Sequence, residues 1–330
     1  MIPEHKQTAV KKALQAAFHT DAFEHIQPLT KGLSGALIFK ITVHDRPYLL
    51  RVITRTDAIG DPAFYYGCME VAAENTLAPA IRYLSSEDRI SITDFVTEKP
   101  FSVATARATL PQLLRQLHNL PKFPYRMNYF ESMERFMPQL SAARLLPEEE
   151  IQELYALYER IARVYPKYDL ENWVSSHNDS KPDNIVFDGQ RPWLVDWESA
   201  FLNDRYLDLA IVANFIVTNE AEEAAYLAAY FEETADDYRQ ARFFLMQQLL
   251  HFYYFLFLRV IDKSYSPTEQ TTLPARDFRE FHNGLWQGEI LLTDTEAKRE
   301  YARLHLEQFR QKAQTPRFEA SLRLVGYPPA

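Results

Sequence analysis

Cysteine is nearly absent from this chain. Cys68 stands alone among 330 residues, which excludes a disulfide framework and a cysteine-ligated zinc site within one chain. Internal repeats, low-complexity segments and long linkers are missing too. No run of apolar residues is long. The longest, Leu249 to Leu258, contains His251, follows Gln247-Gln248, and is far too short by itself to span a membrane. The start, Met1-Ile2-Pro3-Glu4-His5-Lys6, has none of the apolar core of a signal peptide. Positive charge is in deficit. A formal net charge of −9 argues against nucleic acid as the main partner and suits a cationic substrate. These absences together set the expectation of a cytoplasmic protein with no membrane insertion and an ordinary globular core.

The apolar share of 47% is that of a folded globular protein, and the length suffices for two domains or one bilobal unit. Val10, Leu14, Ala17 and Phe18 recur at helical spacing and predict an opening amphipathic helix. From about Phe23 the period changes to two. Leu37, Phe39, Ile41 and Val43 share one face of a strand, His44-Asp45-Arg46-Pro47 turns, and Tyr48-Leu49-Leu50-Arg51-Val52-Ile53 returns. Arg51 sits inside that apolar strand, a costly place for a charge unless it has a partner or the strand is an edge with Arg51 facing water. Asp61-Pro62 reads as a helix start, cap residue then proline, with Gly67 near the helix middle and Glu70 and Glu74 four residues apart on it. Ala80 to Leu84 and Ile90 to Val96 flank a turn and complete a five-stranded sheet. Beyond Lys99-Pro100 the pattern is mainly helical, which puts a lobe boundary near residue 97. The tail from about Leu291 to Ala330 reads as one long helix and an extension.

The most informative stretch runs from Ser175 to Phe187. A short loop holds His177, Asp179, Lys181 and Asn184 and leads straight into a strand. Asp188-Gly189-Gln190-Arg191-Pro192 turns, and Trp193-Leu194-Val195 ends in Asp196-Trp197-Glu198. Two strands joined by a tight turn bring Asn184 and Asp196 together at one mouth of a hairpin. Phosphoryl transfer needs that arrangement: one carboxylate near the acceptor hydroxyl, an amide and a second carboxylate for a metal. The alternative is a polar hairpin in which Asp and Asn only shape turns.

HxDxxxxN followed by DWE resembles the aminoglycoside phosphotransferase and choline kinase families, cousins of the protein kinases. The resemblance covers roughly residues 23 to 285 and is strongest from Ser176 to Ala210. It implies an α+β, protein-kinase-like two-lobed fold: an antiparallel five-stranded N-terminal nucleotide-binding lobe over 1–97 and a mainly helical C-terminal lobe over 98–330. It also implies ATP and Mg²⁺ as cofactors. The turn Lys31-Gly32-Leu33-Ser34-Gly35 resembles the nucleotide-covering loop, so Gly32 and Ser34 are expected to offer backbone N–H groups to phosphate oxygens. Arg51 matches the residue that pairs with the phosphates, with Glu70, or else Glu74, reaching back to it. Asp94, Phe95 and Val96 match the hinge whose backbone holds adenine.

By the same resemblance Asp179 accepts or orients the proton of the substrate hydroxyl, and Asn184 and Asp196 ligate Mg²⁺. His177 holds the loop in shape. Lys181 contacts the transferred phosphoryl group, or else is a solvated loop lysine, and Glu198 adds a second metal contact. Phe201 to Ala210 match an NxRxxDLA pattern in which Asp208 is both a helix N-cap and a brace for the catalytic loop. Leu110 to Pro121 match an LxxLHxLP helix end in which His118 is structural. His251 to Phe257 are similar to HFxWxxW, whose tryptophans form part of a quaternary-ammonium cage. Tyr254 and Phe257 take those positions here, and Phe281 echoes a further aromatic part of the site. Trp serves a cation best, so the replacement weakens the case for choline itself, and a plain aromatic core stripe is the alternative. The implied activity is transfer of the ATP γ-phosphate to a small-molecule hydroxyl, choline- or ethanolamine-like. An amino sugar or other alcohol is the second acceptor class, and a non-catalytic nucleotide-binding protein the third reading.

Overall fold

The structure is a computed structural model that describes residues 2–29, 36–56, 61–262 and 276–327. Gly32 and Ser34 lie outside the described residues. The chain opens with α1 (Glu4–Phe18) and continues into five strands: β1 (His25–Leu29), β2 (Ala36–Val43), β3 (Arg46–Ile53), β4 (Ile81–Ser85) and β5 (Ile90–Asp94). They form one antiparallel sheet in the order β1-β2-β3-β5-β4, as the change of hydrophobic period predicts. Pro28 cannot donate to a ladder, and it falls on the edge strand β1. Phe39, Ile41 and Val43 of β2, Leu50 and Val52 of β3 and Ile90 and Ile92 of β5 bury with Val10, Ala13 and Leu14 of α1 as a small separate core. Strand β3 is central, so Arg51 is not an edge residue: it lies in register between Ile38 and Ser91.

Asp61 Oδ1 accepts the Ala63 amide at 3.1 Å, which caps a single 3₁₀ turn, Pro62–Phe64. Tyr65 N closes that turn onto Pro62 O, so α2 proper (Tyr66–Glu74) begins only afterwards. Gly67 therefore sits at the start of the helix and not near its middle, where its flexibility costs less.

The helical lobe contains α3 (Val103–His118), α4 (Tyr129–Ala143), α5 (Glu148–Val164), α6 (Arg205–Ile216), α7 (Glu220–Phe231), α8 (Asp237–Ile261), α9 (Phe278–Gln287), α10 (Thr295–Ala313) and α11 (Pro316–Gly326). Four short strands are set among them. β6 (Trp173–Ser176) pairs with β9 (Phe201–Asp204), and β7 (Ile185–Phe187) pairs with β8 (Pro192–Leu194), both antiparallel. Helix α8 is the axis of the lobe and packs against α4, α6, α10 and α11. The apolar run at its end is part of a 25-residue helix that is long and apolar enough to cross a membrane. Phe243, Leu245, Leu249, Phe252, Phe255 and Leu256 are all buried, which makes α8 a core helix here. The expected single C-terminal helix is instead two, because Pro316 has no N–H with which to continue α10 and takes the first position of α11.

The lobes meet at the β7–β8 hairpin. Lys99 N donates to Phe187 O at 2.7 Å, Leu194 N to Leu77 O at 2.9 Å, and the rings of Phe101 and Phe187 stack at 4.6 Å. Whatever the hairpin carries is thereby held against the sheet.

Candidate active site

Strand β6 delivers a buried loop whose shape is set by one carboxylate. Asp208 is fully buried in the first turn of α6, where the helix N-terminus favours negative charge. Its oxygens accept the amides of His177 at 2.9 Å and Asn178 at 2.8 Å, and Nε2–H of His118 at 3.2 Å. His118 Nδ1 in turn accepts the Tyr230 hydroxyl at 2.7 Å. Burial would raise the Asp208 carboxyl, but His118 and the loop amide outweigh it and hold the group below its ordinary value. Burial pushes His118 down, so it works as a neutral bridge. The N-cap of α6 is Asp204, which accepts the Tyr206 amide at 3.0 Å, and not Asp208. Asp208 is thus free to point at the loop. His177 ties the loop to the hairpin through Nε2–H to Val195 O at 2.9 Å.

Within that frame Asp179, Lys181 and Asn184 converge. Lys181 Nζ and Asn184 Nδ2 each donate to Asp179 Oδ2 at 2.8 Å, and Asn184 Nδ2 also reaches Asp179 O at 2.8 Å. Both donors use the same oxygen, so Oδ1 accepts no hydrogen bond among the described residues. Lys181 is no solvated loop lysine. Burial alone would lower its ammonium, but Asp179, Asp196 and Asp183 outweigh that effect and hold it above its usual value.

Asn184 precedes β7 and Asp196 follows β8. Val195 N donates to Asn184 O at 3.0 Å, which fixes the two at the same mouth of the hairpin. The turn at the other end uses Gly189 at φ 98°, a conformation that a side chain would strain, and Asp188 gathers the amides of Gln190 and Arg191. Asp196 itself is left-handed at φ 62°, a backbone state that costs about 1–3 kcal/mol and is held by its surroundings. One of those surroundings is Arg51, which donates to Asp196 Oδ1 and Glu198 Oε2, each at 2.7 Å. Burial works against the Arg51 charge, yet Asp196, Tyr65 and Glu198 hold it firmly protonated. Burial and the Asp196 charge in turn raise the Glu198 carboxyl.

The partner expected for Arg51 is corrected here. Glu70 and Glu74 are exposed on α2, and among the described residues neither pairs with Arg51. Both carboxylates stand in solvent, and the hairpin supplies the partners instead. The metal expectation meets a chemical test. Asn184 uses its amide nitrogen on Asp179 and keeps Oδ1, and Asp196 gives Oδ1 to Arg51 and keeps Oδ2. Two hard oxygens with no other hydrogen-bond partner among the described residues fit Mg²⁺, which takes few protein ligands and completes its shell with phosphates and water. No cluster of three or more His, Cys, Asp or Glu suited to a metal occurs among the described residues.

Between the sheet and the hairpin lies a cleft of about 470 Å³. Ile38 and Leu49 of the sheet and Val186 and Val195 of the hairpin give it apolar walls. Arg51 and Asp196 line it, and so do Asp94, Phe95 and Val96 at the end of β5. The Asp94 carboxylate is held outside by Arg82, at 2.6 and 2.8 Å, so what the 94–96 segment offers the cleft is mainly backbone and apolar surface. The cleft can therefore hold a flat apolar group toward the sheet and a polyanion toward Arg51.

The Asp179 charge is also felt by a group of tyrosines. Burial first, then the charges of neighbouring tyrosines and of Asp179, push up the phenols of Tyr129 and Tyr254, and burial with Asp179 lifts Tyr253 to about 12 and Tyr301 above its usual range. Tyr129 and Tyr253 rings lie 4.4 Å apart, and Tyr254 and Tyr301 5.5 Å apart. Tyr254, the ring expected to face the acceptor, packs among Tyr253, Tyr301 and His305. Phe257 is one step further away, stacked on Tyr253 at 5.9 Å. Phe281 is a correction: it is fully buried and stacked on Tyr301 at 5.2 Å, with no face left for a ligand. No sequence motif singled out Tyr129, Tyr253 or Tyr301. Tyr253 was discoverable, being next to Tyr254 on one helix, whereas Tyr129 and Tyr301 arrive from α4 and α10 with no local signal.

This fold, a small antiparallel sheet over a helical lobe with the polar loop and hairpin between them, is that of the protein-kinase-like phosphotransferases. The chain belongs to the phosphotransferase enzyme family, whose profile matches residues 25–244. A choline/ethanolamine kinase family protein from Mesorhizobium loti is similar over 97% of this chain and 99% of its own, with 18% identity and a TM-score of 0.67. The choline kinase LicA from Streptococcus pneumoniae covers 92% of this chain and 100% of its own, at 14% identity and a TM-score of 0.59. An ADP-bound aminoglycoside phosphotransferase, APH(2'')-Ib, covers 93% and 99%, at 12% identity and 0.58. No curated protein matches the chain at a significant level.

Proposed function

We propose that the protein transfers the γ-phosphoryl group of ATP to a hydroxyl of a small molecule, with a choline- or ethanolamine-like cationic alcohol as the acceptor. The observation that carries this reading is the state of Asp179: Oδ2 is pinned by Lys181 and Asn184, and Oδ1 is open, with tyrosine rings near it. A pinned carboxylate with one open oxygen suits the task of orienting a hydroxyl. In a loose transition state positioning outweighs basicity. Lys181, kept charged, stands beside it to meet the transferred group. Asn184 and Asp196 would hold Mg²⁺, which when bound neutralises charge on the phosphates.

In this reading residues 1–97 bind the nucleotide and 98–330 bind the acceptor. The apolar end of the cleft, at Phe95 and Val96, takes the adenine, and Arg51 faces the phosphates. Tyrosine faces attract a cation through their quadrupole, and the Asp179 charge adds to that attraction. Choline and ethanolamine kinases among the solved structures of this fold support the acceptor class. The aminoglycoside enzymes make an amino sugar the second reading, since amino sugars are cations as well.

A coupled assay of ATP consumption over choline, ethanolamine, amino sugars and neutral alcohols, with and without Mg²⁺, tests the proposal. Metal-dependent turnover with a cationic alcohol is the expected result. Turnover with neutral alcohols only would overturn the acceptor class, and no turnover with any alcohol would overturn the reaction.

A further inference from the structure

A second cavity, of about 630 Å³, lies in the helical lobe, and neither Asp179 nor Asp196 borders it. Three helices begin at its wall: Asn219, Asp277 and Thr315, the N-cap residues of α7, α9 and α11, all line it. Asn219 and Asp277 cap their helices with their own side chains, at 2.9 and 2.8 Å. Thr315 does not: its hydroxyl donates to Lys312 O at 2.7 Å, and Pro316 has no amide. The cavity is thus surrounded by positive helix ends, one of them without a side-chain cap.

The telling group is His251, which lines the cavity and is 5% exposed. Its Nδ1 is 2.8 Å from Nδ1 of His305, so one of the two nitrogens carries the shared proton. His305 Nε2 is buried without a partner among the described residues. An orphaned buried N–H is costlier than an orphaned lone pair, so His305 keeps its proton on Nδ1 and donates it to His251. His251 then carries its own proton on Nε2. That atom has no partner among the described residues and, unlike His305 Nε2, keeps some open surface. Burial, with smaller contributions from His282 and Lys312, pushes His251 down to about 3, so the ring is neutral.

The charges around it sort by what they already hold. Arg279 donates to the carbonyls of Asn214 and Phe215, Arg317 pairs with Glu223, and Asp277 serves its own helix. Glu220 is exposed. Lys312 is exposed and makes no ion pair among the described residues. Asn214 Nδ2 is a buried donor without a partner, and Gln248 Oε1 a buried acceptor without one. The unmet donors outnumber the unmet acceptor, and the acceptor suits an O–H beside the anionic group.

We propose that this cavity is a second ligand site, which takes a small molecule through a hydroxyl-bearing oxyanion, a hydrogen phosphate or a hydroxycarboxylate, held by His251 Nε2–H and Lys312. It is independent of the reading of the active site. It also backs onto the tyrosines near Asp179, because His305 lies 4.8 Å from Tyr254 and 4.4 Å from Tyr301, ring to ring.

The test uses the full chain at neutral pH with saturating ADP, which fills the nucleotide cleft. Inorganic phosphate and malate are titrated separately by calorimetry, and His251 is followed by long-range ¹H–¹⁵N correlation in ¹⁵N-histidine-labelled protein. Saturable binding of either probe, with movement of the His251 Nε2 resonance and about tenfold or more weakening in Lys312→Glu, is expected. Whichever probe binds more tightly identifies the source of the oxyanion. Lys312 is exposed, so the variant should unfold at the wild-type temperature when no ligand is present. A His251 resonance that moves with neither probe, binding that ADP abolishes, or equal affinity in Lys312→Glu would each overturn the proposal.

Discussion

Arg51 and Asp196 are 145 residues apart in the chain and 2.7 Å apart in the fold. The pair joins the central strand of the sheet to the end of the β7–β8 hairpin across the nucleotide-sized cleft. Glu198 completes it, so one guanidinium spans two carboxylates that would otherwise repel each other. Arg51 and Asp196 therefore contribute to the charge of the cleft, and the three groups together join the sheet to the hairpin.

Arg51→Lys separates these two roles. An ammonium is a point charge and cannot serve two carboxylates with the two arms of a fork. Nucleotide affinity should fall about tenfold, and the melting temperature should drop by less than in Arg51→Ala, because one carboxylate keeps a charged partner. Arg51→Ala goes further and leaves the carboxylates unpaired. Losing one partner of a fully buried pair costs about 3–5 kcal/mol, but Asp196 is 21% and Glu198 40% exposed, and solvent screens them to roughly 1–2 kcal/mol. Urea denaturation of the variants reads this directly. An alanine variant as stable as wild type would show that the pair does not hold the lobes.

Asp179→Asn keeps the shape of the loop, since Lys181 and Asn184 can still reach an amide oxygen. Binding of Mg·ATP should persist, and turnover should fall by about 10²–10⁴ because the acceptor hydroxyl loses its carboxylate. Single-turnover kinetics beside calorimetry of nucleotide binding separates the two effects. Turnover within about threefold of wild type, far short of that range, would remove Asp179 from the reaction.

The parts legible in the sequence are those written locally. The period-two strands, the Asn184–Asp196 hairpin and the Asp179 loop each lie within a few residues of their own signal. The partner of Arg51 was not legible, because Glu70 and Glu74 are near it in sequence whereas Asp196 and Glu198 reach it only through the docking of the hairpin on the sheet. Phe281 was misplaced for a related reason. An aromatic residue on an amphipathic helix looks the same whether it faces a ligand or a core. Here α10, which supplies Tyr301, covers it. Asp208 shows a third kind of limit: Asp204 and Asp208 both stand near a helix start, and only the backbone decides which one caps.

The buried histidines make stability depend on pH. Burial pushes His251 and His282 down to about 3 and lowers His118 and His305 as well. In the unfolded chain each titrates near 6.5, so below that pH the unfolded state binds more protons. Stability is full above about pH 6.5 and is lost progressively as pH falls toward 3. His251 and His282 each contribute about 1.4 kcal/mol per pH unit in that window, or roughly 2 kcal/mol each by pH 5, and His118 and His305 act in the same direction. Urea midpoints measured from pH 7 to pH 5 should drop accordingly, with at least two protons taken up on unfolding at pH 5. A flat profile over that range would mean that the histidines are hydrated and protonated in the fold.

Tyr254 and Phe281 give the clearest contrast, since both were expected at the acceptor and their surroundings differ. Tyr254 is half-buried and within reach of the Asp179 charge, whereas Phe281 is sealed in the core. If Tyr254 presents its ring to a cationic acceptor, Tyr254→Leu removes the quadrupole and keeps apolar bulk. A single aromatic face contributes about 0.5–2 kcal/mol to cation binding, or roughly 2- to 30-fold in selectivity. The comparison is kcat/KM for choline against 3,3-dimethylbutan-1-ol, its neutral carbon analogue, in wild type and variant. Tyr254→Leu should lose preference for the cation by that factor with little change in melting temperature. Phe281→Ala should do the reverse: it costs about 3–5 kcal/mol of stability through the cavity it leaves, while the preference of the protein that still folds stays at the wild-type value. A Tyr254→Leu enzyme with full cation preference would move the acceptor away from α8, and the neighbouring rings of Tyr129 and Tyr253 would be the next to replace.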